Sequence, residues 1–383
     1  MKAIALIVAA GRGHRTGESL PKQYVDIAGK TVLRRTIDVF EEHPGIDDVC
    51  VVINEDDKAL YEQSTKSLDL LPWVAGGAER QASVYKGLEF LAKYSPDYVL
   101  IHDAARPFLS HDLITRCLVG LETCDAVLPA VSIVDTLKKL SGETITGTID
   151  RCTTVAAQTP QSFAYPSILA AHRAFSEEAV TDDIALAELA GMTVQRVEGD
   201  PTNVKITTAE DMKMARQQIT RQLTDIHIGQ GFDVHAFAVG RELWLGGVKI
   251  PHEKGLKGHS DADVALHALT DALLGALGAG DIGVHFPPSE EKWKGMSSDT
   301  FVEHAARLVA EAGGIIGNVD LTIICEAPKI GPHRDAMRRR IAEILHIEEN
   351  RVGVKGTTTE KLGFAGRGEG IAAQAIATIR LPE

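Results

Sequence analysis

The sequence has few cysteines, and they form no pattern that would specify a disulfide framework or a thiolate metal site. Their number is odd, their spacing is irregular and no Cys-x-x-Cys pair occurs. The five are Cys50, Cys117, Cys124, Cys152 and Cys325. We therefore expect reduced cysteines that contribute to packing, as in proteins of a reducing compartment.

Long hydrophobic runs and an excess of basic residues are also missing. No run approaches the roughly 18 apolar residues that a membrane span requires. The apolar residues 3–10 continue directly into a glycine-rich turn, which is atypical of a signal peptide. The formal net charge of -13 disfavours nucleic acid and anionic membranes as partners, although local basic pockets can still hold phosphates. We expect a cytoplasmic protein.

Low-complexity segments, internal repeats and a long flexible linker are absent from the sequence. A chain of 383 residues exceeds the size at which a single hydrophobic core stops growing, and 44% hydrophobic residues can fill two cores. Residues 209–223 have the composition of a helix, and the next strand begins by Ile226. We therefore predict two closely tethered domains, residues 1–224 and 225–383.

The stretch 259–275 carries a strong chemical signal. Its apolar residues recur at helical spacing, and Ser260 or Asp261 is a suitable N-cap. Asp263, His267 and Asp271 follow at intervals of four, which stacks them on one face of the predicted helix. A solvated polar stripe with one histidine is the simplest interpretation of such a face.

A pair of residues further upstream favours a metal site instead. Asp233 and His235 alternate along a predicted strand and therefore point to the same side. Together with His267 they provide two imidazoles and one carboxylate, a set that suits zinc or a similar divalent ion. Three protein ligands leave a fourth position open for substrate, which is typical of a catalytic metal.

The chain begins with a pattern that can bind phosphate. The apolar run 4–8 predicts a strand buried on both faces, and a loop with Gly11, Gly13 and two arginines follows at once. Glycines let backbone N–H groups approach phosphate, and arginines add charge-assisted contacts. The loop is neither a P-loop nor a dinucleotide fingerprint, and a purely structural turn is the alternative. Lys22 stands a short loop later.

Strands and helices alternate through the rest of the first half. Helices are predicted at residues 31–42, 57–67 and 81–94, and strands at residues 48–53, 73–74 and 98–101. Asp103 follows the last of these strands. It is either a ligand-binding carboxylate or a helix cap. The alternation predicts a doubly wound α/β sheet that binds its ligands beyond the carboxyl ends of the strands.

Ordered motifs in this half carry a family resemblance. They are Ala-Ala-Gly-x-Gly-x-Arg at 9–15, Pro-Lys-Gln-Tyr at 21–24, Gly-x-Glu-Arg-x-x-Ser-Val at 77–84 and His-Asp-Ala-Ala-Arg-Pro at 102–107, followed by matches at 135–136, 150–151, 158–161, 181–183 and 203–207. Over nearly all of residues 1–222 the chain resembles 2-C-methyl-D-erythritol 4-phosphate cytidylyltransferase. The resemblance implies a Rossmann-like nucleotidyltransferase domain that transfers a cytidylyl group from CTP and works with Mg²⁺ or Mn²⁺.

The same resemblance implies roles for individual residues. Arg15 and Lys22 would bind the CTP triphosphate near Gly11 and Gly13, and Asp103 would hold magnesium. Arg151 and Lys205 would bind the 4-phosphate of the acceptor. The remaining substrate-binding residues by resemblance are Gly77, Glu79 and Ser83 at the cytosine and Thr181 and Asp182 at the diol. Glu79 stands where relatives often carry Asp.

A second set of motifs fills the other half. They lie at 228–235, 245–251, 259–263, 281–283, 318–320, 327–329, 355–364 and 366–370. Across residues 226–383 the chain resembles 2-C-methyl-D-erythritol 2,4-cyclodiphosphate synthase. This implies an α+β domain with a mainly antiparallel or mixed sheet and helices on one face. It also implies a trimer with active sites between subunits, whereas relatives of the first domain are dimers, so that a hexamer is the simplest closed assembly.

For this half too the resemblance implies residue roles. Asp233, His235 and His267 would be zinc ligands, Glu360 would hold a second ion, Mg²⁺ or Mn²⁺, and His259 would orient the attacking phosphate. The substrate-binding residues by resemblance are Ser260, Asp281, Gly283, Ala327, Lys329, Thr358, Phe364 and Arg367. Pro288 stands where some relatives have Asp, which questions any role for an acid there, although Glu290 is nearby.

Taken together, the two resemblances predict a bifunctional enzyme of the non-mevalonate isoprenoid pathway. The intervening phosphorylation has no motif here, so a separate kinase must act between the two reactions and is a possible associate. One alternative is cytidylyl transfer to another sugar alcohol phosphate such as ribitol 5-phosphate. The other is a scaffold that binds cytidine nucleotides and has one inactive domain.

Overall fold

The computed structural model of the protein describes residues 1–11, 20–258, 260–287 and 296–382. The chain divides into two compact units, Met1–Gln217 and Gln218–Glu383, called here the N-terminal unit and the C-terminal unit. None of the helices in the described ranges combines the length and the apolarity that crossing a membrane requires.

Strands and helices alternate along the N-terminal unit. Its strands are β1 (Ala3–Ala9), β2 (Asp26–Ile27), β3 (Lys30–Thr31), β4 (Asp48–Ile53), β5 (Val74–Ala75), β6 (Tyr98–Asp103), β7 (Ala126–Ser132), β8 (Lys138–Ser141), β9 (Thr144–Thr148), β10 (Val155–Ala157), β11 (Gln161–Ala164) and β12 (Val194–Glu198). Its helices are α1 (Val32–Glu41), α2 (Lys58–Ser64), α3 (Arg80–Leu91), α4 (His111–Leu121), α5 (Tyr165–Ala174), α6 (Asp183–Leu189) and α7 (Ala209–Gln222), the last of which spans the limit between the units.

The large sheet of this unit changes direction at β1. Among the described residues, strands are ordered β10-β7-β11-β6-β1-β4-β5, and β12 pairs with β7. β1 is parallel to both β4 and β6, whereas β11 runs antiparallel to β6 and β7. The chain builds outward from β1 to β5 and then returns to the other side of β1 with β6. The carboxyl ends of β1 and β6 therefore flank the switch point at which doubly wound sheets bind ligands.

Both faces of the sheet are covered. Ile4 and Leu6 of β1 pack into a core shared with α3 and α5, whereas Ala5 and Ile7 pack into a second core with α1 and α4. This explains the uninterrupted apolar run at the start of the chain, because a strand covered on both sides has no polar face. The predicted doubly wound fold is confirmed.

Several predicted element bounds differ from the structure by one to three residues. α1 begins at Val32 because the hydroxyl of Thr31 accepts a hydrogen bond from the Arg34 amide at 3.1 Å. β4 has the predicted bounds. The helix predicted at 57–67 is shorter, since a 3-10 turn at Glu55–Asp57 precedes α2 and the chain leaves the helix after Ser64.

The C-terminal unit combines one mixed sheet with helices. Its strands are β13 (Asp225–Val239), β14 (Leu243–Leu245), β15 (Val248–Ile250), β16 (Lys254–Leu256), β17 (Ile315–Ile324), β18 (Val352–Thr357) and β19 (Gly370–Leu381). Its helices are α8 (Val264–Leu277), α9 (Ile282–His285), α10 (Asp299–Glu311), α11 (Arg334–Leu345) and α12 (Gly363–Gly366). Within the described residues the main sheet has the order β16-β13-β19-β17-β18, antiparallel except for the parallel pair β17–β18. The predicted fold class is thereby confirmed for this half as well.

The long strand β13 lies directly against the backbone of α8. A Cβ atom at Gly229 would stand 1.9 Å from the carbonyl oxygen of Ala272, and one at Gly231 would stand 1.9 Å from that of Ala268. Only glycine allows this approach. The helices α8, α10 and α11 form a single core with the sheet.

The N-cap of α8 differs from the prediction. The cap is Asp263, not Ser260 or Asp261, and the helix begins at Val264. The buried Asp263 carboxylate accepts hydrogen bonds from the amides of Gly246, Gly247, Ala265 and Leu266 at 2.7–3.1 Å. Asp263 is therefore a structural cap that also ties the turn after β14 to the helix.

Candidate active sites

A cleft of about 200 Å³ opens at the carboxyl ends of β1 and β6 in the N-terminal unit. The turn after β1 forms one wall with Gly11, and the start of α3 forms another with Ser83. Gln23 holds the turn in place, since its side-chain amide donates to the carbonyl groups of Ala9 and Gly11 at 2.8 and 3.0 Å. The residues predicted from the sequence that line this first cleft are Gly11, Lys22, Gly77, Glu79, Ser83, Asp103 and Lys205.

A carboxylate surrounded by cations lies in the cleft. Asp103 is nearly buried, and its carboxylate oxygens lie 2.8 Å from Nζ of Lys205 and 3.2 Å from Nε of Arg80. Arg106 lies 3.9 Å away. Burial by itself raises the pKa of Asp103, but Arg80 and Lys205 outweigh burial and hold it well below its usual range. Asp103 is thus ionised, and the cluster retains excess positive charge that suits phosphate.

A second cleft of about 150 Å³ shares Arg80, Asp103 and Lys205 with the first. Two further predicted residues, Thr181 and Asp182, line it. An acceptor bound in the second cleft and a nucleotide bound in the first would therefore meet at the same charged cluster.

Three predicted residues need separate description. Arg151 lies outside both clefts in a 3-10 turn, where its guanidinium donates to the carbonyl of Val134. Arg15 lies outside the described residues, as does Gly13. The predictions for these three residues remain untested.

Sequence reasoning gave no role to Arg80 or Asp183. Arg80 links the two carboxylates, since its Nη1 lies 2.7 Å from Asp183 while its Nε reaches Asp103. Asp183 is fully buried and also lies 3.2 Å from Nε2 of the buried His172. Both residues stand inside the motifs given above, and each is adjacent to a predicted site residue, Arg80 to Glu79 and Asp183 to Asp182. A charged residue beside a predicted site residue was therefore the available signal.

In the C-terminal unit, three predicted ligands come together. Oδ2 of Asp233 lies 3.0 Å from Nε2 of His235 and 3.0 Å from Nδ1 of His267, and the two nitrogens are 3.1 Å apart. Among the described residues this is the one group of three or more potential ligands whose atoms all lie within 4.8 Å of one another. Strand alternation places the first two side by side, and the packing of α8 on β13 delivers the third.

The tautomer of His267 fits a metal at this point. Its Nε2 lies 3.0 Å from Oγ of the buried Ser298, whose hydroxyl donates to the carboxylate of Asp261. A hydroxyl has one proton, so Ser298 must accept from His267, which leaves Nδ1 of a neutral ring as a lone pair facing Asp233. Nδ1 of His267 therefore faces the Asp233 carboxylate and Nε2 of His235 at 3.0 and 3.1 Å, and these three atoms are a donor set that suits a divalent cation.

The electrostatics of the trio depend on mutual contacts. Burial raises the pKa of Asp233, but the adjacent imidazoles of His235 and His267 outweigh burial and hold it well below its usual range. Burial lowers the pKa of His235, whereas the contact with Asp233 raises it by more. The carboxylate is therefore ionised, which is the state that binds a metal.

The flanking acids of α8 do not contact His267 in the way the helix-face spacing indicated. Asp263 binds backbone amides, as described above, and Asp271 accepts from the Ile282 amide at 2.8 Å. Asp271 thereby fixes the start of α9, next to the predicted substrate-binding residues Asp281 and Gly283. Asp281 caps α9 through a 3.0 Å bond from the Val284 amide.

A loop pair at the far edge of the sheet carries other predicted residues. The Glu326 carboxylate accepts from the amides of Thr359 and Lys361 at 3.0 and 3.3 Å, which joins the loop after β17 to the loop after β18. Glu360 is exposed in a left-handed conformation (φ 52°) and accepts from the Thr358 hydroxyl at 2.8 Å. The predicted cytidine-site residues on these loops are Ala327, Lys329 and Thr358.

The remaining predicted residues are Phe364 and Arg367 after β18, and Ser260, His259 and Pro288 on earlier segments. Phe364 lies in α12 and is partly exposed, and Arg367 forms a two-bond ion pair with Glu369 at 2.8 and 3.0 Å. Ser260 lies 3.1 Å from Nε2 of His267. His259 and Pro288 lie outside the described residues.

These features define an enzyme with two separate sites, a phosphate-binding cleft in a doubly wound α/β unit and a divalent-metal site in an α+β unit. Residues 3–221 match the family 2-C-methyl-D-erythritol 4-phosphate cytidylyltransferase, and residues 226–380 match the YgbB family. The chain belongs to the bifunctional IspD/IspF family. The resemblance inferred from the motifs is thereby confirmed.

Relatives and a solved structure support this assignment. The bifunctional enzymes IspD/IspF of Paramagnetospirillum magneticum and Rhodospirillum rubrum are each 53% identical over 382 residues, covering 100% of this chain and 99% of the relative. The crystal structure of 4-diphosphocytidyl-2C-methyl-D-erythritol synthase from Anaerococcus prevotii is 31% identical, with a TM-score of 0.52, and covers 57% of this chain and 96% of that chain.

Proposed function

We propose that the chain catalyses two reactions of isoprenoid precursor synthesis. The N-terminal unit transfers a cytidylyl group from CTP to 2-C-methyl-D-erythritol 4-phosphate and releases pyrophosphate. The C-terminal unit converts 4-diphosphocytidyl-2-C-methyl-D-erythritol 2-phosphate to the 2,4-cyclodiphosphate and releases CMP. Family membership of both halves supports this pair of activities, and we place the boundary of the domains at residues 224 and 225.

The cation cluster at Asp103 carries the proposal for the first reaction. The acceptor's phosphate oxygen attacks the α-phosphorus of CTP, and the bond to pyrophosphate breaks. Lys205 and Arg80 line both clefts, where two phosphates would approach each other. Lys22 lines the first cleft, which we propose binds the nucleotide. Such a site acts by holding the two reactants in line and by stabilising charge, and it needs no protein nucleophile.

We propose that Asp103 also contributes to a magnesium site when CTP is bound. One carboxylate is what Mg²⁺ commonly takes from a protein if substrate phosphates complete its coordination. The ion would supply charge neutralisation at the phosphates. Without CTP, Arg80 and Lys205 hold the Asp103 carboxylate toward the cleft, at 3.2 and 2.8 Å. Arg15, Gly13 and Arg151 remain proposed ligands of the substrates.

For the second reaction we propose that Asp233, His235 and His267 hold zinc. The ion would withdraw charge from the diphosphate. The 2-phosphate of the substrate attacks the β-phosphorus, the bond to CMP breaks, and an eight-membered ring closes, so the nucleophile belongs to the substrate. Ser260 and His259 are proposed to bind the phosphates. Glu360 is proposed to hold Mg²⁺ or Mn²⁺. Among the described residues, it does not belong to the group of ligands formed by the metal trio.

The other proposed contacts lie on two segments of the C-terminal unit. Asp281 and Gly283 of the α9 segment are proposed to meet the methylerythritol hydroxyls. Ala327, Lys329 and Thr358 are proposed to bind cytidine, with Phe364 and Arg367 nearby in the sequence. The substrate would thus be held at both ends while its two phosphates react.

We further propose that the second site forms between copies of the chain. Asp233, Ala373, Ile323 and Gly356 are aligned across the sheet, so the metal trio and the cytidine loop stand three strand spacings apart, roughly 14 Å. The face of β13 opposite the helices also exposes an apolar row, consisting of Ile226, Ile228, Phe232 and Val234. A trimer would cover this row and bring one copy's loop to another copy's trio. With a dimeric first domain, the closed assembly is a hexamer.

Pyrophosphate release tests the first activity. CTP and magnesium are supplied with either 2-C-methyl-D-erythritol 4-phosphate or ribitol 5-phosphate. We expect strong preference for the former. Preference for ribitol 5-phosphate, or no release, would contradict the proposal for the N-terminal unit, and CMP release would then test the other unit independently. A native mass corresponding to a monomer would refute the hexamer.

A further inference from the structure

A chain of directed hydrogen bonds connects α10, α9 and the end of α8. Nη2 of Arg307 lies 2.7 Å from Nδ1 of His304, and Nε2 of His304 lies 3.1 Å from Nδ1 of His285. Nε2 of His285 lies 2.9 Å from the carbonyl oxygen of Ala279, just after α8. The Glu311 carboxylate holds Arg307 from the outer side at 2.7 Å.

The two ends of this chain fix every proton within it. Arginine only donates, so Nδ1 of His304 accepts and its Nε2 carries the proton. A carbonyl only accepts, so Nε2 of His285 donates to Ala279 and its Nδ1 accepts from His304. Both imidazoles are therefore neutral, with one proton each, and an additional proton on either ring must break one of the three bonds.

The chain holds α9 at one end, and Asp271 holds the other. Asp271 accepts from the Ile282 amide at 2.8 Å, while His285 closes the four-residue helix. A helix this short has little stability of its own, so its position depends on these side-chain contacts. Packing adds to them, since the ring of Phe286 lies 5.0 Å from His304 and 4.5 Å from Phe301.

We propose that His304 is a positioning residue for the cyclisation reaction. Through His285 it holds α9, and with it Asp281 and Gly283, in the place where they bind the hydroxyl groups of the substrate. This inference rests on the function proposed above for the C-terminal unit. Neither histidine belongs to the metal trio, and neither had a role in the sequence analysis.

The electrostatics favour the neutral relay. Burial lowers the pKa of His304, and Arg307 and His285 lower it further, against an opposing effect of Glu311. These are the titratable and charged groups that face His304 from α9 and α10 among the described residues. A lowered histidine pKa means that the relay is intact at neutral pH and is lost as pH falls through that pKa.

Substrate dependence of CMP release in the full-length, zinc-loaded protein tests the proposal. His304→Leu removes both hydrogen bonds, and we expect KM for the cyclisation substrate to rise about tenfold with kcat nearly unchanged. His304→Gln keeps one donor and one acceptor and should retain a KM near the wild-type value. In the wild type, KM should rise on acidification, and the rise should be smaller in His304→Gln, in which only one of the two titratable rings remains.

Three controls separate positioning from general destabilisation. Zinc content and pyrophosphate release should be unchanged in all variants, and His346→Asn, at the exposed left-handed end of α11, should behave as wild type. Amide hydrogen exchange in residues 282–286 should accelerate in His304→Leu. If His304→Leu does not fold, Arg307→Met removes the donor from the exposed end of the relay and should raise KM in the same direction.

Some outcomes would overturn the inference. An unchanged KM in both His304→Leu and Arg307→Met would do so. An equal rise of KM in His304→Leu and His304→Gln at every pH would also do so, because it would indicate that the His304 ring acts only through packing. If the wild type releases no CMP, the proposed function fails. The exchange of residues 282–286 then still decides whether the relay holds α9.

Discussion

The hydroxyl of Ser298 is the most informative single group to remove at the metal site. It is buried, donates to Asp261 and accepts from Nε2 of His267, and it thereby presents the opposite ring nitrogen to Asp233 and His235. Ser298→Ala deletes one oxygen without touching any of the three ligands. We expect weaker metal binding with an intact fold, because His267 loses the partner that selects its tautomer.

The expected size follows from the geometry. Loss of an outer partner of a metal ligand typically costs 10–100-fold in affinity, which is about 1.4–2.7 kcal/mol. Ser260 also lies 3.1 Å from the same nitrogen and retains part of the orientation. We therefore expect a loss of about tenfold, at the lower end of this range. Asp261→Asn should give a similar loss, and the double variant should lose less than the sum, since both act through one hydroxyl.

Competition with a chromophoric chelator measures zinc affinity directly, and the visible spectrum of the cobalt-substituted protein reports the geometry. Ser297→Ala is the matched control, since its side chain is exposed beside Ser298. Pyrophosphate release by the N-terminal unit should be unchanged. Unchanged zinc affinity in Ser298→Ala, or an equal loss in Ser297→Ala, would refute the reasoning.

Other predictions concern the independence of the two sites, the N-cap of α8, the pH dependence of stability and the close packing of α8 on β13. Lys205→Ala should abolish pyrophosphate release and spare CMP release, and Asp233→Ala should do the reverse; equal loss of both activities in either variant would contradict separate sites. Asp263→Ala leaves four amides, three of them in buried bonds, without an acceptor. It should lower the free energy of unfolding of the C-terminal unit by about 3–5 kcal/mol in denaturant titrations. Burial raises the pKa of Asp263 to about 6, so the folded state binds this proton more tightly than the unfolded chain. The contribution of Asp263 to stability should therefore fall as pH rises from about 4 to about 6, and this dependence should be absent in Asp263→Asn. Gly231→Ala forces a Cβ onto the Ala268 carbonyl and should prevent α8 from docking, seen as loss of zinc binding in the full-length protein.

The metal trio could be foreseen because its geometry is local. Period-two alternation determines that Asp233 and His235 share a face, and helical spacing keeps His267 on one side of α8. These spacings did not show that the strand and the helix lie against each other; that contact is seen in the structure, at Gly229 and Gly231. The phosphate cleft was predictable for a similar reason, since parallel strands end at one edge of a sheet.

The contacts that sequence reasoning missed are distant in the chain. Ser298 reaches His267 from the start of α10, and Arg80 reaches Asp183 across 103 positions, and no periodicity reports such pairs. The structural role of Asp263 could not be told from a ligand-orienting one, because helical spacing cannot distinguish the first residue of a helix from its cap. The difference depends on which amides lack acceptors, and those belong partly to the turn at Gly246 and Gly247.

The alternation of β13 makes the sequence of this strand intolerant to changes in length. Its odd-numbered positions supply both the glycines that admit α8 and two metal ligands, while its even-numbered positions supply the exposed apolar row. Inserting or deleting one residue ahead of Gly229 would exchange the two faces at once. A substitution in β13 therefore affects one of these functions at a time, whereas a shift of the strand by one position would lose helix docking, the metal site and the apolar face together.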